Sequence, residues 1–395
     1  MKYIKKTLLI WYAELMLLLH NQGLVIFCLL VPLAYPLLYA FVYTNETVRE
    51  VPIVVVDECH SQQSREFSRK VDACSEVTVM YHTDLMQAQE LLRQEKAYAI
   101  MRIPSSFSQD LAEGRQTYVA LYSDMRCMLY YKAALLAASN VSLEMNNDIK
   151  VTRYLRGSTD RQEAVLRQPV TNSYVALYNP QSGVASFLIP AVMMLMIQQL
   201  LCLTIGTSMG IIREKNRGIG IPLGNPVYNN PVSIIAGKVL LYWPIFMLIG
   251  VYMFAGVTSL FQMPQLGDYV TFLRFMVPYV LACILMSFTF STFIHRAEDS
   301  MLLFIFMSVP LLFVSGMSWP VASEPTFWRY VSYIFPSTFG MHGYVRIQNM
   351  GADLQDVGFE YRGLWMQCIV YFLLSLWVYR AELVRVVRWN KQEED

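Results

Sequence analysis

The sequence contains few charged residues. Only 15% of its 395 residues are Asp, Glu, Lys or Arg, whereas 55% are hydrophobic. Soluble domains are typically about 25% charged, so this composition predicts an α-helical polytopic membrane protein. The formal net charge is +1. The chain therefore lacks the basic surplus that is typical of nucleic-acid binding, and we expect no nucleic-acid partner.

An ATP-binding loop is also absent from the sequence. Such a loop needs the pattern Gly-x-x-x-x-Gly-Lys followed by Ser or Thr. The chain has one Gly-Lys pair, Gly237-Lys238, but Val239 follows it and Val232 stands at the first glycine position. We therefore expect no cofactor in this chain, and we expect ATP and Mg²⁺ to be bound by a partner subunit.

The long apolar runs lack Asp, Glu and Lys near their middles. Such groups are expected in proton-driven carriers, where they relay protons. The second apolar run instead carries amide and hydroxyl side chains, among them Gln198, Gln199 and Thr204. These three residues predict either hydrogen bonds between helices or the lining of a transport path or dimer seam.

No arrangement of residues typical of a metal centre or a catalytic site is present. The histidines and cysteines have no standard metal-ligand spacing. Asp57, Ser61 and Ser64 lie close together in the sequence. For these residues we expect Ser61 to cap a helix and Asp57 to end a strand, because Ser is a preferred N-cap residue.

Six apolar runs reach or approach the length that crosses a bilayer core of about 30 Å. The first is residues 24–43, and residues 1–23 before it predict an amphipathic helix in the cytoplasmic interface rather than a cleaved signal peptide. The other five runs are residues 186–212, 234–254, 272–294, 301–319 and 364–379. Residues 184–380 are thus predicted to form the main membrane domain, and residues 381–395 a cytoplasmic tail.

Residues 44–183 are more polar and predict an inserted α/β domain. Strand patterns occur at residues 51–56, 77–81, 97–103 and 117–122. Helical patterns lie between and after them, at residues 62–73, 84–95, 106–113 and 125–149. Strands that alternate with helices predict a parallel or mixed sheet covered by helices.

Basic residues occur at alternate ends of the apolar runs. They precede the first run, follow the sixth, and lie between the second and third and between the fourth and fifth, whereas residues 259–271 contain no Lys or Arg. By the positive-inside rule, both termini are predicted to be cytoplasmic and the α/β domain extracytoplasmic.

Short motifs in a fixed order resemble the permeases of ABC-2 type transporters, of the kind with a large extracytoplasmic domain between the first two transmembrane helices. The matching residues extend along nearly the whole chain: Val54-Val55-Val56-Asp57 with Ser61, Ser64 and Arg65; Ile103-Pro104 with Phe107 and Gly114; Arg213-Glu214 with Gly218; Pro226; Gly237-Lys238; and Ser315-Gly316 with Pro320, Pro336 and Thr338. The family has Glu and Thr where this chain has Asn216 and Ile219, so the loop that contains them is either specialised for its own partner or weakened.

The resemblance implies roles for two regions. Residues 213–232, here called the charged loop, would contact an ATPase through Arg213, Glu214, Lys215, Asn216, Arg217 and Gly218. Residues 315–345, here called the external gate region, would form re-entrant helices at the exit, with Ser315, Gly316, Trp319, Pro320 and Pro336. The alternatives are a simple positive-inside anchor for the charged loop and an aromatic belt for the external gate region.

The resemblance further implies a permease of an ATP-driven exporter in the bacterial inner membrane, without enzyme activity of its own, that moves a hydrophobic or amphiphilic substrate outward. Its expected partners are an ABC ATPase subunit, a second permease copy or paralogue, membrane lipid and, as in some relatives, a periplasmic adaptor. The alternative is a non-transporting surface protein, such as a phage receptor or secretion accessory. A ligand sensor ranks last, because five predicted spans follow the domain.

Overall fold

The computed structural model describes residues 2–43, 48–82, 84–154, 177–178, 184–223, 225–317 and 324–394. The chain divides into two compact units. The first unit combines Met1–Glu46 with Ala176–Asp395, and the second is Thr47–Val175. Residues 155–176, which fall in the predicted α/β domain, lie outside the described part of the chain.

Helix α1 (Lys2–His20) begins the first unit. Its exposed side carries apolar residues at four-residue spacing, Ile4, Leu8 and Tyr12. A second stripe with the same spacing is buried and consists of Ile10, Glu14 and Leu18. Such spacing marks one face of a helix, so the helix predicted over residues 1–23 is present. Its location at a membrane interface stays a prediction. Helix α2 (Gln22–Val42) follows directly and contains a π-helical segment, Ile26–Leu30.

The second unit contains a four-stranded mixed sheet with the order β2-β1-β3-β4. The strands are β1 (Val51–Asp57), β2 (Val77–His82), β3 (Ala99–Ile103) and β4 (Ala120–Ser123). β1 pairs in parallel with β2 and β3, and β3 pairs antiparallel with β4. The helices are α3 (Gln62–Asp72), α4 (Leu85–Arg93), α5 (Phe107–Glu113) and α6 (Met128–Tyr154). This arrangement agrees with the predicted mixed sheet.

Strand β1 is central, and both of its faces are covered. Val51, Ile53 and Val55 pack against residues of α3 and α6, whereas Val54 and Val56 pack against α4. A strand that is buried on both faces has a continuous apolar sequence instead of an alternating one. This burial explains why residues 51–56 form an uninterrupted apolar run.

The turns of this unit follow the local sequence signals. Ser61 and Ser64 form a capping box at the start of α3, and Asp57 accepts a hydrogen bond of 2.7 Å from the Ser64 hydroxyl. Asp84 accepts from the Gln87 amide at 2.8 Å and caps α4. The prediction that Ser61 caps a helix and Asp57 ends a strand is therefore confirmed.

Several boundaries in this unit differ from the prediction by one to five residues, most of all in β4 and α6. β4 begins at Ala120 instead of residue 117, and α6 extends from Met128 to Tyr154 instead of from residue 125 to 149. Ala120 pairs with Arg102, and Pro104 follows the end of β3 at Ile103. By this register Val119 lies opposite Ile103, the last residue of β3, and the residues before it face Pro104, which has no N–H to donate, so pairing ends here.

The first unit continues with seven further helices among the described residues. They are α7 (Val184–Lys215), α8 (Pro231–Leu260), α9 (Tyr269–Phe290), α10 (Ala297–Val314), α11 (Thr326–Ser332), α12 (Pro336–Met350) and α13 (Gly358–Glu394). Within the described chain, five helices are long and apolar enough to cross a membrane: α2, α7, α8, α9 and α10. The sixth predicted span, residues 364–379, lies within α13 but is not among these five, so six crossings stay a prediction.

Helix α7 forms the centre of this unit, and α10 lies at its side. In the apolar window of α7, 89% of the residues are buried, against 17% in α10. Gly206 and Gly210 of α7 let α10 approach closely. A Cβ atom on Gly206 would lie 2.7 Å from the Ser300 hydroxyl oxygen, and one on Gly210 would lie 2.6 Å from the Ala297 nitrogen. Small residues four positions apart commonly make such contacts between membrane helices.

Candidate functional site

The charged loop begins inside a helix. Arg213, Glu214 and Lys215 form the last turn of α7, and the chain leaves the helix at Asn216. Glu214, Lys215, Arg217 and Gly218 are exposed, whereas Ile219 and Ile221 are buried in the core of the unit. The exposed charged surface is thus smaller than the predicted loop, because the segment after Gly218 folds back into the protein.

Arg213 differs from the other five residues that were predicted to contact an ATPase, because it is only 2% exposed. Its Nη2 atom forms an ion pair of 2.8 Å with Glu382 of α13, which is also 2% exposed. Its Nη1 atom donates to the carbonyls of Ser291 and Ile294, in the connection between α9 and α10. Arg213 therefore holds three segments together and offers no surface to a partner in this arrangement.

Glu214 is exposed and has a partner within the chain. Its carboxylate accepts a hydrogen bond of 3.0 Å from the Ala297 N–H, in the first turn of α10. The first amides of a helix lack partners within the helix, and a negative charge there is favourable. Glu214 thus links the end of α7 to the start of α10, which a simple positive-inside anchor does not require.

Asn216 joins the two ends of the turn. Its amide nitrogen donates to the Ile212 carbonyl at 2.7 Å, and its amide oxygen accepts from the Leu223 N–H at 3.2 Å. Arg217 has a φ of 53°, and its guanidinium lies 5.7 Å from the ring centroid of Trp389. The two departures from the family pattern, Asn216 and Ile219, therefore have structural roles in folding this loop.

A second buried ion pair was not predicted. Glu14 of α1 and Lys238 of α8 are each 2% exposed, and their charged atoms lie 2.8 Å apart. The same Glu14 oxygen accepts from the Ser208 hydroxyl at 2.7 Å and the Tyr242 hydroxyl at 3.1 Å. Lys238 lies near the start of the candidate span Pro231–Leu260, so the pair does not contradict the prediction that Asp, Glu and Lys are absent near the middles of the apolar runs.

The sequence held two signals for this pair. Glu14 interrupts an otherwise apolar stripe at four-residue spacing, which is unusual unless the carboxylate has a partner. Gly237 precedes Lys238, and a Cβ atom there would lie 2.9 Å from Ile10. The Gly-Lys pair, which matched the family, therefore provides a close approach for α1 and the partner for its carboxylate.

Met209 of α7 lies between the two ion pairs. Its sulfur is 3.6 Å from Lys238 Nζ and 3.8 Å from the Tyr379 hydroxyl of α13. A Cβ atom on Gly220 would meet Met209, Arg213 and Glu382, all within 3.3 Å. The end of α7 is thus surrounded by polar contacts that reach α1, α8, α13 and the charged loop.

The three polar residues predicted for the second span have different surroundings. Gln198 is buried, and its amide oxygen accepts from the Ser337 N–H at 2.6 Å, at the start of α12. Within the described part of the chain, neither polar atom of the Gln199 amide has a partner, and the Thr204 hydroxyl also lacks one. Gln198 and Gln199 both line a cavity of about 40 Å³ whose other walls include Phe304, Met307 and Leu311 of α10. The Gln198 amide oxygen is bonded to α12, whereas the polar side-chain atoms of Gln199 have no partner among the described residues.

The external gate region contains a helix that runs beside α7. Ser337 contacts Gln198 near its start, and the Asn349 amide donates to the Ser186 carbonyl near its end. Twelve residues separate the contacts on each helix, a length of about 18 Å. Helix α12 is therefore antiparallel to the first half of α7 and covers about half of a bilayer core.

Residues 333–336, here called the tip, form the turn just before α12 and accept hydrogen bonds from polar side chains of α13. Gln367 donates to the Tyr333 carbonyl at 2.8 Å, and the Tyr371 hydroxyl donates to the Ile334 carbonyl at 2.6 Å. Pro336 begins α12 and is buried.

The other residues of the external gate region lie at the end of α10. Gly316 follows this helix with a φ of 75°. The preceding Ser315 carbonyl accepts from His342 of α12 at 2.7 Å. Trp319 and Pro320, which were also predicted for this region, lie outside the described residues.

The family model for an ABC-2 family transporter protein matches residues 23–377 of this chain. The chain therefore belongs to the ABC-2 transporter family, whose members are transmembrane permeases of ABC transporters. A comparison with curated proteins finds no match. Membership of this family confirms the predicted permease class and does not favour the surface-protein alternative.

Proposed function

We propose that the chain is the membrane-spanning half of an ATP-driven exporter in a bacterial inner membrane, with both termini cytoplasmic and the α/β unit outside. It works with an ABC ATPase subunit and with a second permease copy or paralogue. A hydrophobic or amphiphilic substrate moves outward, in some systems with the help of a periplasmic adaptor. Gln199 and Thr204, whose polar atoms lack partners within the described residues, would contribute to the path.

The observation that carries the proposal is the exposed charged surface at the end of α7. Glu214, Lys215 and Arg217 project there from the most buried of the candidate spans. The sequence has no ATP-binding loop, so ATP-driven transport requires another chain to contact this one. A surface at the end of a rigid central helix is suited to that contact, because packed helices move as units.

Co-purification tests the proposal. The wild-type chain is expected to retain an ABC ATPase after mild detergent extraction, and Lys215→Glu/Arg217→Glu to lose most of it, because both side chains are exposed. Lys132→Glu, at an exposed position of α6, is the matched control and should retain the ATPase. Absence of an ATPase from the wild-type preparation, or equal recovery with the double variant, would contradict the proposal.

A further inference from the structure

Glu382 of α13 contacts both sides of the turn that follows α7. One carboxylate oxygen pairs with Arg213 Nη2 at 2.8 Å, at the end of α7. The other accepts the Gly220 N–H at 3.2 Å, within the charged loop. This residue therefore joins α13 to two buried positions of the charged loop, although it lies 162 positions from Gly220 in the sequence.

The backbone at Gly220 has little room to move on its own. A Cβ atom there would lie 3.0 Å from Met209, 3.3 Å from Arg213 and 3.3 Å from Glu382. Ile219 and Ile221 on either side are buried. Because the segment fits closely against the carboxylate, a displacement of the charged loop must either carry Glu382 with it or break a buried hydrogen bond.

Helix α13 extends from this contact to the external gate region. Tyr371 and Gln367, which hold the tip at residues 333–336, lie 11 and 15 residues before Glu382 on the same helix. These separations correspond to about 16 Å and 22 Å along the axis. A continuous helix transmits a displacement at one end to the other, because it moves as a rigid unit.

We propose that Glu382 is the positioning residue through which movement of the charged loop reaches the tip at residues 333–336. The proposal rests on the proposed function, since it takes the charged loop as the ATPase contact. Glu382 contacts neither substrate nor nucleotide in this scheme. It couples the charged loop to α13, and Gln367 and Tyr371 couple α13 to α12. If Glu382 only stabilised the fold, a folded variant without it would still transmit movement from the charged loop to residues 333–336.

The test uses the full-length chain with its co-purified ATPase in lipid nanodiscs. Hydrogen–deuterium exchange is measured without nucleotide and after trapping with ATP and vanadate. In the wild type, trapping is expected to change exchange both in residues 211–223 and in residues 326–340. In Arg213→Met/Glu382→Leu, the change in residues 211–223 should persist and the change in residues 326–340 should be lost. Removing both charges leaves no unpaired buried ion, so this variant is expected to fold, with reduced stability because the Gly220 N–H and the Ser291 and Ile294 carbonyls lose these partners.

The matched control is Glu14→Leu/Lys238→Met, which removes an ion pair of the same length and burial that lies off this route. This variant should still show both changes. Should the first double variant fail to purify in folded form, Arg213→Gln/Glu382→Leu replaces it, since a neutral Gln at position 213 can still donate to the Ser291 or Ile294 carbonyl while the contact from position 382 is removed.

The outcomes separate this proposal from the proposed function. If trapping alters neither region of the wild type, the proposed function fails, and the role of Glu382 with it. If trapping alters both regions in the wild type and equally in the Glu382 variants, the positioning role is overturned and the proposed function stands. Loss of the change in the Glu14→Leu/Lys238→Met control as well would show that buried charge in general matters, which would also overturn the specific role of Glu382.

Discussion

Removing Glu14 and removing Lys238, the two partners of a buried ion pair, should destabilise the first unit by different amounts. The Glu14 carboxylate accepts from three donors, the Lys238 ammonium and the hydroxyls of Ser208 and Tyr242. Lys238→Met leaves the carboxylate with two of these donors. Glu14→Leu leaves all three donors without their acceptor, including a buried ammonium.

The contacts set the size of each effect. Breaking a buried ion pair by removing one partner costs about 3–5 kcal/mol. We assign ~3 kcal/mol to Lys238→Met, because two hydrogen bonds remain, and ~5 kcal/mol to Glu14→Leu. The double variant Glu14→Leu/Lys238→Met should cost only ~2 kcal/mol, since no unpaired charge remains and two hydroxyls lose an acceptor at about 1 kcal/mol each.

Thermal unfolding of the purified full-length chain in detergent, followed by intrinsic fluorescence, measures these effects. One kcal/mol shifts the melting temperature by roughly 2 °C for a unit of about 250 residues, which is close to the size of the first unit, Met1–Glu46 with Ala176–Asp395. Lys238→Met should therefore lower it by about 6 °C, Glu14→Leu by about 10 °C and the double variant by about 4 °C. Lys215→Met, which removes an exposed lysine nearby, is the control and should change little. A double variant less stable than Glu14→Leu would refute this reasoning.

Three further predictions concern close contacts and caps. Gly237→Leu should push α1 away from α8, because a Cβ atom at position 237 would lie 2.9 Å from Ile10, and should therefore speed tryptic cleavage at the lysines of α1. Gly358→Ala is the control and should not change the cleavage rate, since the space around Gly358 is open. Gly210→Leu should cost about 1–3 kcal/mol by overpacking against α10, and an unchanged melting temperature would show that this approach is not tight. Asp84→Ala should cost about 1 kcal/mol and raise amide exchange in α4 about fivefold in the intact chain, with α3 unaffected.

Local features of this chain could be predicted from the sequence because neighbouring residues determine them. The central strand β1, the caps at Ser61 and Asp84 and the glycine that ends α5 all depend on residues within one turn or strand. The family could also be predicted, because its short motifs retain their order along the chain. These predictions needed no knowledge of how distant segments pack.

The buried ion pairs could not be predicted in the same way. Lys238 lies 224 positions from Glu14, and Glu382 lies 169 positions from Arg213. The charge pattern predicted a cytoplasmic location for Arg213 and Lys238. The positive-inside rule gives only the side of the membrane and does not indicate burial. Whether a basic residue is exposed or buried depends on which helices pack around it, and that is a tertiary property.

The charged loop shows the same limit within a single segment. The sequence Ile219-Gly220-Ile221 was predicted to be part of a surface loop, but its two isoleucines are buried. Asn216 was considered a departure that affects partner choice, yet its amide bridges the two ends of the turn. A comparison with a family pattern identifies such positions but does not distinguish a binding role from a folding role.

The exposure of α10 has a consequence for how a molecule could reach Gln199. In this unit α10 is the least buried of the candidate spans, and it supplies one wall of the cavity beside Gln199. Under the proposed function, a solute that arrived past a lipid-facing α10 would come from the lipid phase, so its concentration in the membrane, rather than its concentration in water, would set occupancy. Each added methylene group favours the lipid by about 0.8 kcal/mol, which is about a fourfold enrichment. Apparent affinity at Gln199 would then rise with the chain length of the solute, even if its direct contacts with the protein stayed the same.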